Sequence, residues 1–342
     1  MRLTTIVGVA AATLAITLAP MTSALGRNAG TNSKTNKQIV SVSSSGAPDR
    51  IISDYRDSRT LTTRPKRVEA VSPVQSLKSS AAVTSYWSRS RMESARRNSS
   101  GLAKAQPRSG PAAAAGMPGS AVIGAVFYHN VVERKDKTCS ASVVRTRSKS
   151  FILTAGHCVH GGRGGTWHQD FVFIPEYIKD HPLIHGVFVA RQFTTFDWWV
   201  ESSSYAHDVA FVEVYPNVDG VKVEDAVGGF HMGLFRPKSS TVVAIGYPAD
   251  PATLKPVWQN YCGPTQSAPL GTTHIYINCR MLGGGSGGPW LIDYNKPGAT
   301  PIVVGLFSQL YTWGKKVAES WSPYFGADVA RLFGRICCRD IQ

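Results

Sequence analysis

The chain has 342 residues and a formal net charge of +15, from 37 Lys and Arg against 22 Asp and Glu. That length leaves room for more than one compact unit, so targeting and processing segments are set aside before domains are counted. The charge raises nucleic acid as a partner, but residues 25–116 hold 16 Lys and Arg against 5 Asp and Glu, whereas residues 117–342 hold 20 against 17. The basicity belongs mostly to the leading third, and no nucleic-acid partner is expected for the remainder.

Met1 and Arg2 open the chain, and Ile6 to Leu18 form an apolar run without charge. Pro20 breaks the run and Thr22-Ser23-Ala24 supplies small residues for a cleavage site. This is the three-part pattern of a secretory signal peptide over residues 1–24, and its apolar run is short for a bilayer span. An uncleaved membrane anchor is the alternative. No later stretch is long and apolar enough to span, so a secreted, extracellular protein with no membrane contact after cleavage is expected.

Residues 25–116 are rich in Ser, Ala, Thr, Asn and Arg, with few large apolar residues and the clearest apolar patches near Ile51-Ile52-Ser53-Asp54-Tyr55 and Tyr86-Trp87. Such a composition struggles to bury enough surface to offset chain entropy. A basic arm that binds acidic polymers and a pro-segment removed after export are both compatible with it; the motifs downstream favour the pro-segment. Arg96-Arg97 and Arg108 are candidate cut sites, and the mature chain is expected to begin between about Ser99 and Ser120, leaving a domain over residues 117–342.

From Met117 the pattern is one of short apolar strands between glycine, proline and polar turns. Strands are expected at Ala121–Tyr128, Ser140–Val144, Phe151–Thr154, Phe171–Ile174, Gly186–Phe193 and Val209–Val214. Thr241–Tyr247, His274–Asn278, Trp290–Ile292 and Ile302–Ser308 complete the series. Many short strands with no helix-period segment between them indicate an all-β barrel or sandwich. Val329, Leu332, Phe333 and Ile336 fall at i, i+3, i+4, i+7, which predicts one C-terminal helix.

Six cysteines in an exported chain make disulfides the default expectation. Cys139 with Cys158 would join the strands around His157, and Cys262 with Cys279 would bracket a hairpin. Cys337-Cys338 is a vicinal pair whose bond would be strained, and its state is left open. Zinc is the competing reading for Cys158, His157, His160 and His168, although their spacing fits no established finger; no metal or other cofactor is expected.

Three motifs carry chemistry. Thr154-Ala155-Gly156-His157-Cys158 offers a histidine base, and His207-Asp208 leads into an apolar strand. Gly283-Gly284-Gly285-Ser286-Gly287-Gly288-Pro289 sets a serine between glycines, which allow positive φ and close approach. A serine hydroxyl needs such a base before it attacks a carbonyl. Asp197 and Asp180 compete with Asp208 for the third position, and the strand that follows Asp208 favours it.

The order His, Asp, Ser and the three motifs resemble the chymotrypsin-like serine proteases, with the bacterial extracellular branch around the glutamyl endopeptidases nearest in pattern. The likeness spans approximately Ser120 to Gly334. It implies two six-stranded antiparallel β-barrels with a C-terminal helix, and a triad of His157, Asp208 and Ser286. It also implies an oxyanion hole from the N–H groups of Gly284 and Ser286, and peptide or protein substrates for a monomeric enzyme.

Gly285 stands where animal relatives carry an aspartate that pairs with a newly freed N-terminus, so maturation by that ion pair is absent. Phe307 stands where glutamyl-specific relatives place a histidine, just before Ser308. That leaves Ser308, Phe307 and Arg280 as candidates for the substrate pocket, with Arg280 the one group that would favour an acidic side chain. A non-catalytic secreted binding module on the same fold is the competing class.

Overall fold

The computed structural model describes residues 69–74, 80–100, 120–178, 181, 183–249, 259–294, 296–313 and 317–337. The expected signal peptide, the segment between Ser100 and Ser120, Asp180 and Cys338 lie outside them. Within the leading third, β1 (Glu69–Val71), α1 (Ser80–Tyr86) and α2 (Arg89–Ser99) are formed. Ser88 caps α2, its Oγ accepting from the Arg91 N–H at 3.3 Å.

The following strands are β2 (Ile123–Asn130), β3 (Lys135–Val143), β4 (Phe151–Thr154), β5 (Gln169–Pro175) and β6 (Phe188–Phe196). After α3 (Asp197–Ser202) come β7 (Ala210–Val214), α4 (Val223–Val227) and β8 (His231–Met232). Next in the chain are β9 (Thr241–Gly246), β10 (Asn260–Gln266), β11 (Ala268–Leu270) and β12 (His274–Ile277). The last elements are β13 (Pro289–Ile292), β14 (Ile302–Leu306), β15 (Gln309–Trp313), β16 (Val317–Pro323) and α5 (Ala327–Ile336). Nearly every expected strand is present within a few residues of its expected bounds. The short helices α3 and α4, at 6 and 5 residues, are too brief to leave a 3.6-residue period in the sequence.

Strands β6, β5, β2, β3, β4 and β7 run in that order, and β6 also pairs with β7, which closes a six-stranded antiparallel barrel. β2 pairs with β3 on one edge and β5 on the other, and all its residues but His129 are buried. β1 adds a further strand on β6, with Ala70 opposite Thr195. The second half comprises a five-stranded sheet, β10-β9-β13-β14-β8, and a four-stranded sheet, β11-β12-β16-β15. They enclose a separate core of Val242, Ala244, Ile275, Ile277, Trp290, Val304 and Phe307. The Leu306 N–H donates to Ser322 Oγ at 2.9 Å and joins the two sheets. The architecture is that of a chymotrypsin-like double barrel.

Helix α5 buries the four residues its period singled out, Val329, Leu332, Phe333 and Ile336. Phe333 meets Phe211 of β7 at 5.5 Å between ring centroids, so the C-terminal helix closes onto the first barrel. Disulfides join Cys139 to Cys158 and Cys262 to Cys279, with Cα–Cα separations of 6.2 and 5.9 Å. Cys337 is buried at the end of α5 and outside both bonds.

Candidate active site

His157 sits in a one-turn 3₁₀ helix, Gly156–Cys158, directly after β4. Asp208 ends the turn Tyr205–His207, just before β7, the strand beside β4. Strand pairing therefore places the two residues side by side. The His157 N–H donates to Asp208 Oδ1 at 2.7 Å, and His157 Nδ1 lies 2.8 Å from Oδ2. Space here is tight: a Cβ on Gly156 would lie 3.0 Å from Asp208 Oδ1 and 3.1 Å from Trp199.

Asp208 is wholly buried, whereas the His157 side chain keeps 27% of its surface exposed. The carboxylate also accepts from Ser308 Oγ at 2.6 Å. A carboxylate only accepts, so Nδ1 carries the proton and the Nε2 lone pair is left for a substrate-side proton. Burial disfavours the imidazolium, but the charge and hydrogen bond of Asp208 outweigh it and raise the His157 pKa.

Behind the turn, His168 Nε2 lies 3.2 Å from the His157 carbonyl oxygen, and its ring stacks on Tyr128 at 4.5 Å. Burial drops the His168 pKa to about 3, so it stays neutral and donates to that carbonyl. Cys139, His157 and Cys158 bring three ligand-type atoms within 4.8 Å of one another. Both sulfurs are bonded to each other, which leaves no thiolate for a metal. His160 Nδ1 accepts from the Gly162 N–H at 3.0 Å.

The loop Gly283–Gly288 joins β12 to β13 across the interface of the two halves. Gly284 and Gly287 hold φ of +91° and +81°, and a Cβ on Gly284 would lie 2.8 Å from the Tyr247 carbonyl oxygen. Glycine is what permits this turn. Gly285 donates to Leu282 O, Gly288 to Gly285 O and Gly287 to Phe307 O, at 3.0, 3.0 and 2.7 Å. The N–H groups of Gly284 and Ser286 have no acceptor among the described residues.

Ser140 on β3 anchors this loop to the first barrel. Its N–H donates to Ser286 O at 2.7 Å and its Oγ donates to Gly284 O at 2.8 Å, while Tyr247 N donates to the same Oγ at 2.8 Å. Ser286 is half-buried. The site thus offers a half-exposed hydroxyl, an oriented imidazole beside a buried carboxylate, and two unused N–H donors flanking the hydroxyl. Such a constellation can move a proton off a nucleophile and hold a developing oxyanion.

The pocket candidates separate. Ser308 touches Asp208. Phe307 is 3% exposed and packs edge-on against Trp290 at 5.7 Å, which puts it in the second core. Arg280 is half-buried, and its Nε is enclosed with no hydrogen-bond or ion-pair partner among the described residues. Asp197 opens α3, whereas Asp208 is the carboxylate bonded to the N–H and beside the Nδ1 of His157. Ser140, His168 and the contact of Ser308 with Asp208 carry no motif of their own in the sequence.

No family model matches the chain, nor does any curated protein sequence. Among solved structures, a thermostable serine protease from an extremophilic microorganism is 30% identical, with a TM-score of 0.56 over 65% of this chain and 99% of that one. The protease Anisep from Arthrobacter nicotinovorans is 23% identical, with a TM-score of 0.57 over 65% of this chain and 98% of that one. A Glu endopeptidase is 16% identical, with a TM-score of 0.50 over 63% and 90%. The last two likenesses bear on the fold alone.

Proposed function

The chain belongs to the chymotrypsin-like family of serine proteases, and from that premise we propose that it is an exported endopeptidase in which Ser286, His157 and Asp208 form the catalytic triad. The observation that carries this reading is the buried Asp208 carboxylate bonded to both the N–H and the Nδ1 of His157, with the neighbouring Cys158 Sγ 3.8 Å from the carbonyl oxygen of Ser286. A dead binding module on this fold would have no need of so complete an arrangement. Two disulfides in the same unit support an oxidising, extracellular destination.

In the proposed mechanism, Ser286 Oγ attacks the carbonyl carbon of a peptide bond as His157 Nε2 takes its proton. Asp208 holds the imidazole in the required tautomer and stabilises the imidazolium. The oxyanion is bound by the N–H groups of Gly284 and Ser286, where losing one such donor typically costs ~3 kcal/mol. His157 then returns the proton to the leaving amine as the C–N bond breaks, which leaves an acyl ester on Ser286. Water attacks that ester by the same route, releasing the carboxylic acid and restoring Ser286.

Protein and peptide chains are its substrates in this reading. The enclosed Nε of Arg280, without a partner among the described residues, supports a preference for an acidic side chain, since a buried donor seeks an acceptor. An organophosphonate tests the reaction class: rapid covalent labelling at Ser286 in the native protein, lost on heat denaturation, is expected. Failure to label the folded protein would remove the enzyme reading.

A further inference from the structure

Residues 69–100 hold 5 of the leading segment's 16 Lys and Arg, and their described parts, 69–74 and 80–100, pack against the first barrel. β1 pairs with β6, and the buried Ser72 bonds Phe193 twice, through its N–H and through its Oγ, both at 3.0 Å. Val83, Trp87, Met92 and Ala95 belong to the same apolar core as Phe127 and Phe173. Trp87 Nε1 donates to Asp170 O at 2.5 Å, and its ring lies 5.6 Å from Phe127. Asp136 on β3, 11% exposed, accepts from Tyr86 OH at 2.8 Å and from Arg91 Nε at 2.6 Å. Stripping this segment away would expose apolar core and leave a half-enclosed carboxylate without two of its donors.

The end of α2 reaches the candidate active site. Ser99 Oγ donates to Ala95 O at 3.0 Å and accepts the Thr138 N–H at 2.8 Å. Thr138 directly precedes Cys139, whose disulfide partner Cys158 follows His157. A Cβ on Gly283 would overlap the Ser99 carbonyl oxygen, and a Cβ on Gly284 would lie 3.2 Å from Thr138 Cγ2. Ser99 therefore lies at the junction of the strand that leads to the histidine's disulfide and the loop that carries the serine.

We propose that residues 69–100 remain part of the working enzyme, and that Ser99 is a positioning residue that braces the loop Gly283–Ser286 against β3. The alternative, a plug that blocks the cleft, fits the contacts less well. The bonds from Ser99 go to backbone at Thr138 and to its own helix, not to His157 or Ser286. With α2 in place the His157 side chain still has 27% of its surface open to solvent. The proposal rests on the endopeptidase reading above. A cut between residues 101 and 119 is compatible with it, provided that the upstream piece stays bound.

The test uses the full-length chain as exported. Intact mass under native and denaturing conditions is expected to find residues 69–100 with the barrels, either in one chain or as a second chain held without a covalent bond. Exported protein that cleaves peptides but lacks those residues overturns the proposal. Ser99→Ala is expected to lower kcat about fivefold with KM little changed, from the loss of one hydrogen bond, and Ser99→Thr to restore it. Unchanged kcat in Ser99→Ala overturns the brace, and increased kcat shows a plug instead. A urea melt of each variant separates positioning from simple loss of fold. Organophosphonate labelling of the wild type keeps the two readings distinct: no label removes the endopeptidase reading, whereas a labelled wild type with an indifferent Ser99→Ala removes only the brace.

Discussion

Ser140 donates its backbone N–H to the carbonyl oxygen of Ser286 across 2.7 Å. The same residue donates its Oγ hydrogen to Gly284 O and receives the Tyr247 N–H, and Thr154 Oγ1 donates to its carbonyl oxygen at 2.8 Å. One wholly buried serine thus ties the Gly283–Gly288 loop of the second half to the strands of the first. Ser140→Ala strands a buried carbonyl and a buried N–H, each worth about 1–3 kcal/mol. A lower urea midpoint together with slower organophosphonate labelling is the expected result. Wild-type values for both would refute the anchoring role.

Ser286→Ala should end peptide cleavage and leave the thermal midpoint near that of the wild type, since only a small, half-exposed hydroxyl is lost. Asp208→Asn should lower kcat by about ten-thousandfold, because an amide donates to Nδ1 and selects the wrong imidazole tautomer. Steady-state kinetics on a peptide substrate decide both, and a Ser286→Ala variant that still cleaves would sink the assignment.

The pH dependence follows from His157. Asp208 raises its pKa above 6.5, against the opposing effect of burial. The base is active only when deprotonated, so kcat/KM should rise with pH through a midpoint above 6.5. Asp208→Asn leaves burial without its counterweight, and the midpoint should move down. The linkage to stability has the opposite sense. A raised folded-state pKa means that protonated His157 stabilises the fold fully below about pH 6.5, and that contribution is lost as pH rises through the folded value. A flat profile, or an acid limb centred below 6.5, would contradict the His157–Asp208 pairing.

Arg280 has an enclosed Nε without a partner. Arg280→Gln should reduce cleavage after acidic residues about tenfold relative to other sites, the value of one hydrogen bond to a charged group. Because no partner among the described residues is lost, Arg280→Met should not lower the thermal midpoint. Cleavage-site profiling on a mixed peptide library gives the first result. An unchanged profile would take Arg280 out of the pocket.

The candidate site was legible along the chain because each of the three residues proposed for it lies in its own contiguous motif. Gly156-His157-Cys158, His207-Asp208 and the glycines around Ser286 are local patterns, and the strands near them follow from local apolar runs. The C-terminal helix was equally local, since Val329, Leu332, Phe333 and Ile336 repeat at the helical period and all four are buried. The anchoring role of Ser140 and the contact of Ser308, itself expected only as a pocket residue, were invisible because their partners lie across the fold, Gly284 144 positions away and Asp208 100 positions away. Nothing in a single serine's neighbourhood reveals such a contact. Phe307 shows the same limit: position suggested a pocket wall, and only the packing of Trp290 draws it into the core. The leading segment shows it most fully. Trp87, Met92 and Ala95 are too sparse in a basic stretch to predict a core, yet each is buried once the barrel surface around Phe127 exists to receive it. Local chemistry depends on neighbours in sequence, whereas burial depends on which distant surface arrives to cover a side chain.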